Sequence, residues 1–378
     1  MDNPHGTILF LSALLLISIA NNITLKKLSR YKLIEKYPFI SVLVPARNEE
    51  SNIYRCVKSL LDQDYPDFEV IVNDDSTDRT REILNSLSAN NDKLKVIRSA
   101  RLEEGWVGKQ WSCHRLYKEA RGDYLLFVDA DTVHHRDMLK HAVSAVIESG
   151  TDLLTMFPFE ETVTIGEKLI VPFMHWSMIS IFPMFLMKFL RIPQLVIAVG
   201  QFMLFRREAY EAIDGHRGVK DKLVDDVALA RAIVSNGFEL LVVDGTEFVK
   251  CRMFSSFRES HAGFSRSLFG AMGYKIIPFL FMWTWILLVF WQPVVLILLY
   301  LFNGYDNFLR ASLIAVAMSY ILFFITFKRF GFSFFSVVLY PFVVLIAYTA
   351  AIRSLLNGLR GRSVWKGRVV IKQKLKFF

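Results

Sequence analysis

The chain has 378 residues, 53% of them hydrophobic, with 33 Phe and a formal net charge of +9. That is too apolar for an ordinary soluble enzyme and points to membrane spans. Basic residues gather beside apolar runs, at 26–36 and 353–376, which favours a membrane surface and excludes a nucleic-acid partner from the expectation. Cys56, Cys113 and Cys251 are too few and too scattered for a disulfide framework or a metal knuckle, and fit a reducing compartment.

Residues 7–25 are apolar and are followed by Lys26, Lys27, Arg30 and Lys32. A cleaved signal peptide carries its charge on the other side, so residues 1–27 read as a transmembrane anchor with its N-terminus outside and the rest of the chain cytoplasmic. Residues 40–46 (ISVLVPA) form a near-continuous apolar run, the pattern of a parallel strand covered on both faces. Asn48 is placed to cap a helix running to residue 61, with Glu49 and Glu50 in its first turn. A second strand at 69–72 ends in the acid-rich turn Asn73-Asp74-Asp75-Ser76-Thr77-Asp78, a helix follows at 79–88, and a third strand at 94–97. Strands and helices alternating at this spacing imply an α/β fold with parallel strands.

Residues 105–109 (GWVGK) form a glycine-bearing loop whose Lys109 could meet phosphate oxygens, although a surface lysine is the simpler reading of it alone. The fourth strand, 124–128, runs into Asp129-Ala130-Asp131. Two carboxylates at i and i+2 on an extended chain share a face, beyond the carboxyl end of a strand, where open α/β sheets bind ligands. They suit a hard divalent cation, which takes one or two carboxylates plus substrate phosphates.

PARNEE (45–50), VNDDSTD (72–78), GWVGK (105–109) and GDYLLFVDAD (122–131), in this order and spacing, resemble the family 2 glycosyltransferases over residues 38–270. Within that family the chain is most similar to membrane-anchored enzymes that glycosylate lipids, the carotenoid (diaponeurosporenoate) and hopanoid-associated groups. The resemblance implies a GT-A fold: a Rossmann-like mixed sheet with helices on both faces, here carrying N- and C-terminal transmembrane helices. It implies that Pro45, Ala46 and Glu49 line the nucleoside pocket and that Asp74 contacts the uracil of a UDP-sugar. Asn73 stands where the family usually has an acid, which leaves the choice between Asp74 and Asp75 open. Lys109 would sit beside the nucleotide, Asp129 near the ribose and diphosphate, and Asp131 on Mg²⁺ or Mn²⁺, with Asp129 adjoining the metal.

Residues 169–190 are long and apolar enough to span, but one crossing there would separate Asp131 from everything after 200. Interface helices at about 167–192, broken near Pro183, are expected instead, or else a buried core helix. Asp225 and Asp226 precede a helix that Gly237 closes in the C′ position. The resemblance makes Asp226 the base that takes the acceptor's proton and Asp225 its neighbour. Where processive members carry Gln-x-x-Arg-Trp, this chain has SHAGFSR (260–266), which favours a single transfer over polymer synthesis. Arg252, Arg258, His261 and Arg266 could face phosphate or acceptor, but exposed interfacial groups are the simpler reading.

Residues 276–302, 309–327 and 332–352 are apolar runs within a C-terminal membrane region, 275–352. Three full spans would put the basic tail, 353–378, outside, against the charge rule; either one run is re-entrant or the rule fails, and a cytoplasmic tail is expected. The tail's Trp365-Lys366-Gly367-Arg368 resembles a motif of related lipid glycosyltransferases. The expected function is an inverting, single transfer of a sugar from a nucleotide-sugar to a lipid-like acceptor at the cell membrane. Its rivals are a processive polysaccharide synthase and an inactive membrane scaffold.

Overall fold

The computed structural model describes residues 4–305, 307–361, 364–365, 368–369 and 375–378. Helix α1 (Pro4–Thr24) leads into the sheet strands β1 (Ile40–Ala46), β2 (Phe68–Asp74), β3 (Leu94–Arg98) and β4 (Tyr124–Val128), with α2 (Ile53–Leu61), α3 (Thr80–Ser88) and α4 (Gly108–Glu119) between them. Then come β5 (Thr132–His134), α5 (Met138–Ser149), β6 (Leu153–Phe157) and β7 (Phe159–Glu160). Three short helices, α6 (Ile165–Ile170), α7 (Pro172–Ile181) and α8 (Met184–Leu190), precede β8 (Phe202–Arg206). The domain closes with α9 (Arg207–Ala212), α10 (Gly215–Gly218), α11 (Asp225–Ser235), β9 (Leu240–Asp244), β10 (Val249–Cys251) and α12 (Phe257–Ala271). Helices α13 (Ile276–Asn303), α14 (Leu309–Phe330), α15 (Phe334–Val338) and α16 (Tyr340–Arg360) follow.

Seven strands make one mixed sheet in the order β3-β2-β1-β4-β8-β6-β9, in which β8 alone runs antiparallel to both neighbours. The period of two in β1 explains its continuous apolar run. Val42 and Val44 join a core with Ile53 and Leu60 of α2 and Leu139 of α5, whereas Leu43 points to the opposite face, with Leu116 of α4 and Leu229 of α11. A smaller sheet, β5-β10-β7, stands beside the carboxyl end of β4.

The helix after β1 starts at Ile53, later than expected. Asn48 is left-handed (φ 53°), and its side chain accepts from Thr77 N–H at 2.9 Å. It therefore pins the β2–α3 turn instead of capping α2, a local side-chain bond winning over the helix.

A third core joins α1, α7, α13, α14 and α16, with Leu11, Trp176, Phe290, Phe323 and Tyr340 at its centre. Helix α7 is therefore buried, its Trp176 ring stacked on Phe323, while Phe189 and Leu190 of α8 are exposed. The break near Pro183 has a clear cause. Asn21 of α1 donates to the carbonyls of Ile179 and Phe182 and accepts from Phe185 N–H. One buried amide thus ends α7 and starts α8.

Four helices, α1, α13, α14 and α16, are long and apolar enough to cross a membrane. The third C-terminal run is divided between two helices. Instead of one helix from 332, α15 precedes α16, and Val338 O lies 3.4 Å from the Tyr320 hydroxyl. Pro341 O accepts from Trp291 Nε1, about 22 Å along α13 from its start by the helical rise. From there α16 runs back along α12, where Ser354 Oγ accepts from Phe269 N–H. The chain end also returns: Lys376 O accepts from Ile276 N–H at the start of α13. The tail motif at 365–368 includes Lys366 and Gly367, and the turn at 303–307 includes Asp306; these three lie outside the described residues, as does part of the basic tail.

Candidate active site

The carboxyl ends of β1, β2 and β4, the start of α4, the small sheet and α12 enclose one cleft of about 940 Å³. Of the residues expected to act, Pro45, Ala46, Glu49, Lys109, Asp129, Asp131 and Asp225 line it. Asp129 and Asp131 do not sit on extended chain. Thr132 N–H and Oγ1–H both donate to Asp129 O, closing a tight turn, yet both carboxylates still reach the cleft.

Lys109 is not on a flexible loop. It stands in the first turn of α4, and the preceding loop is fixed by Val107 N–H donating to Lys220 O and by Trp106 packed on Trp111 and His114. Its ammonium lies 2.8 Å from Asp129 and 3.9 Å from Asp225. Burial works against that charge, but Asp129 and Asp225 outweigh it and hold the ammonium well above its usual range.

Of the two acids left open for the base contact, Asp74 lies away from the cleft. Its side chain is fully buried, paired with Arg81 at 2.6 Å and accepting from Ser76 N–H, and it is absent from the cleft lining. Strand β2 runs on to Asp74, so the alternation of faces turns Asp74 under the sheet edge. Asp75 and Asp78 are the acids of this turn that line the cleft, with Asp75 bridged to Arg47 at 2.8 Å.

The two acids at the start of α11 divide. Asp225 lines the cleft, its carboxylate 3.9 Å from both Lys109 and His216 Nε2. Asp226 sits beside it but is not among the residues lining the cleft; it packs on Gly200, where an added Cβ would lie 3.0 Å from its Oδ2. Its carboxylate accepts from Val227 N–H at 2.7 Å. Burial first, then the Asp225 charge, raises the Asp226 carboxyl to about 7, the range of a working general base.

Sequence reasoning missed several residues. Glu160 is buried, accepts from Gln201 Nε2 at 2.6 Å, and is raised to about 8 by burial and then by Asp131. Its only signal was an acid in an apolar stretch after a strand. Met174, Met253, Phe254 and Phe264 line the cleft without having been singled out, and of the two readings open for Arg252 and Arg266 the structure has them lining it as well. Arg258 is exposed as expected, and His261 turns to Thr349 and Arg353 of α16.

The donor set fits a divalent cation. Asp129 and Asp131 offer hard oxygen ligands, and no group of three or more His, Cys, Asp or Glu forms a closed cage among the described residues. That is the arrangement for Mg²⁺ or Mn²⁺ shared with a diphosphate. Of the two carboxylates, Asp129 is paired with Lys109 at 2.8 Å.

The sheet order and the cleft at its carboxyl edge define the class of the domain, a GT-A fold. A mannosyltransferase from Pyrobaculum calidifontis, solved in complex with GDP-Man and Mn²⁺, overlays with a TM-score of 0.53 across 94% of this chain and 99% of that one, at 16% identity. Residues 41–214 match the family model for glycosyl transferase family 2, so the chain contains a family 2 glycosyltransferase domain. The 4,4'-diaponeurosporenoate glycosyltransferase of Staphylococcus aureus (strain MRSA252) is 28% identical over 243 residues, 62% of each chain. The chain thus spans about three-fifths of the length of the curated relatives it matches.

Proposed function

We propose that the protein is a membrane-bound, inverting glycosyltransferase that moves one sugar from a nucleotide-sugar, a UDP-hexose, to a lipid-like acceptor. One observation carries this proposal: Asp129, Asp131, Lys109 and Asp225 line a single cleft that apolar residues also line, with Asp226 beside Asp225. A sugar donor needs its diphosphate leaving group stabilised, and an acceptor hydroxyl needs a base. Lys109, in the first turn of α4, is placed to meet the diphosphate and Asp226 to take the proton. Asp131 with Asp129 would hold a divalent cation, which supplies charge neutralisation to the departing diphosphate. A carboxylate acceptor would need no base.

The acceptor end of the cleft favours an amphiphile. Met174, Met253, Phe254 and Phe264 give it apolar walls, and α12 leans along α16 towards the membrane helices. Arg266, half-buried and without an ion pair among the described residues, suits a polar or anionic head.

For topology we propose three spans, α1, α13 and α14, with α15–α16 entering the bilayer and returning. The C-terminal ends of α1 and α14, the start of α13 and the chain end all lie against the catalytic domain. Lys26, Lys27, Arg30, Lys328 and Arg329 gather there, which favours a cytoplasmic domain and tail.

The test is a panel of UDP-sugars offered to membranes containing the protein, with mass spectrometry of extracted lipids. The expected result is one new lipid carrying a single hexose, absent with Asp131→Ala. A sugar polymer, or unchanged transfer by Asp131→Ala, would reject this reading.

A further inference from the structure

His216 is buried and makes two specific contacts. Its backbone N–H donates to the Tyr210 hydroxyl at 3.1 Å, and the same hydroxyl lies 2.7 Å from its Nδ1. The hydroxyl can accept from that N–H and at the same time donate its own proton to Nδ1. Burial keeps the imidazole neutral at ordinary pH, lowered to about 3. A neutral ring that accepts at Nδ1 carries its proton on Nε2. Nε2 lies 3.9 Å from Asp225 Oδ2, too long for a hydrogen bond but within a small rotation of the carboxylate. The ring is wedged against Phe127, centroids 4.7 Å apart, so the ring itself has little freedom to turn. The groups around Asp225 are Lys109, His216 and its neighbour Asp226; those around His216 are Tyr210, Asp225, Lys109 and His114.

We infer that the Tyr210–His216 pair is a positioning device that holds Asp225 through Nε2–H when the donor binds. This rests on the transfer reaction proposed above. In the free protein the same Asp225 oxygen lies equally far from Lys109 and His216, and Lys109 also holds Asp129. A diphosphate draws the Lys109 ammonium to itself, which leaves Nε2–H as the remaining donor to Asp225. Held there, Asp225 stays turned from Asp226, which leaves Asp226 to accept the proton. Without that donor, Asp225 is free to rotate into the acceptor's place.

The test compares His216→Leu, His216→Gln and His216→Asn with the wild type. The Gln amide nitrogen reaches the Nε2 position, whereas that of Asn reaches only Nδ1. His216→Leu is expected to lower kcat about 10- to 100-fold, with the KM for UDP-sugar and calorimetric UDP affinity within about twofold. His216→Gln recovers most of the loss and His216→Asn does not. Tyr210→Phe, which keeps the ring but releases the tautomer, gives a smaller fall in kcat at unchanged KM. Equal rates for Gln and Asn, or wild-type turnover in His216→Leu, would overturn the inference. Asp131→Ala is run alongside: if it is inactive while the His216 variants are normal, only this inference fails, and if it transfers at the wild-type rate the proposed reaction fails.

Discussion

Asp226→Asn should abolish most transfer, by about 10²- to 10⁴-fold, while UDP-sugar binding stays within about twofold. The amide keeps the size of the carboxyl and can still accept from Val227 N–H, so the helix start is preserved. What it loses is the ability to take a proton. The wild-type pH profile should show the same group. Only the ionised carboxylate accepts a proton, and burial followed by Asp225 raises that ionisation to about 7. Activity should therefore rise with pH through neutrality and be lost below it. Stability should run the other way. An unfolded Asp ionises near 3.9, so between about pH 4 and 7 the folded state binds more protons than the unfolded one. Stability from this group is present at low pH and lost as pH rises through 7. Asp226→Asn, which cannot ionise, should melt above wild type at pH 8, with the gap closing towards pH 4. Full transfer by this variant, or a flat pH profile for a hydroxyl acceptor, would remove Asp226 from the chemistry.

The largest stability effect is expected at Arg329, far from the cleft. Near the end of α14 it donates to the carbonyls of Asn22 and Leu25, both at 2.6 Å. These are the orphan acceptors at the C-terminal end of α1. It also pairs with Asp244 of β9 at 3.0 Å, whose side chain is fully buried. One guanidinium therefore joins two membrane helices to the sheet. Arg329→Met keeps the packing but leaves Asp244 as an uncompensated buried charge, a loss of about 3–5 kcal/mol. Thermal unfolding in detergent should show a large fall in the melting midpoint. Adding Asp244→Asn should restore part of it, because the stranded charge is gone. A single variant as stable as wild type would mean that the pair does not hold the domain to the bundle.

The sheet was legible because burial on both faces makes the parallel strands read as unbroken apolar runs; β4 falls at 124–128, as expected from the sequence. That Asp129 and Asp131 reach one edge with the β2 turn was legible because parallel strands deliver their following turns there, whereas Asp225 was reached only through the family resemblance. Strand ends were less so. With β2 running on to Asp74, that residue falls on the same face as Val70 and Val72, and nothing in the local composition marks where the strand ends. Asn48 was misread because a helix cap and a turn clamp use the same side-chain oxygen. The direction of α16 was hidden for another reason: hydropathy gives a run's length, whereas its return along α12 depends on contacts such as Ser354 with Phe269, distant in sequence. His216 carried no motif, since its meaning comes from Tyr210 one turn earlier and Asp225 beyond the next loop.

The whole account depends on the cleft taking a nucleoside diphosphate together with a divalent ion on Asp131. Calorimetry of UDP against the purified protein, with Mn²⁺ and then with chelator, measures that directly, using Asp131→Asn as the paired sample. The expected result is saturable one-to-one binding with Mn²⁺, weakened at least about tenfold by chelation or by the substitution. Equal UDP affinity in all three conditions, or no heat of binding at all, would contradict it.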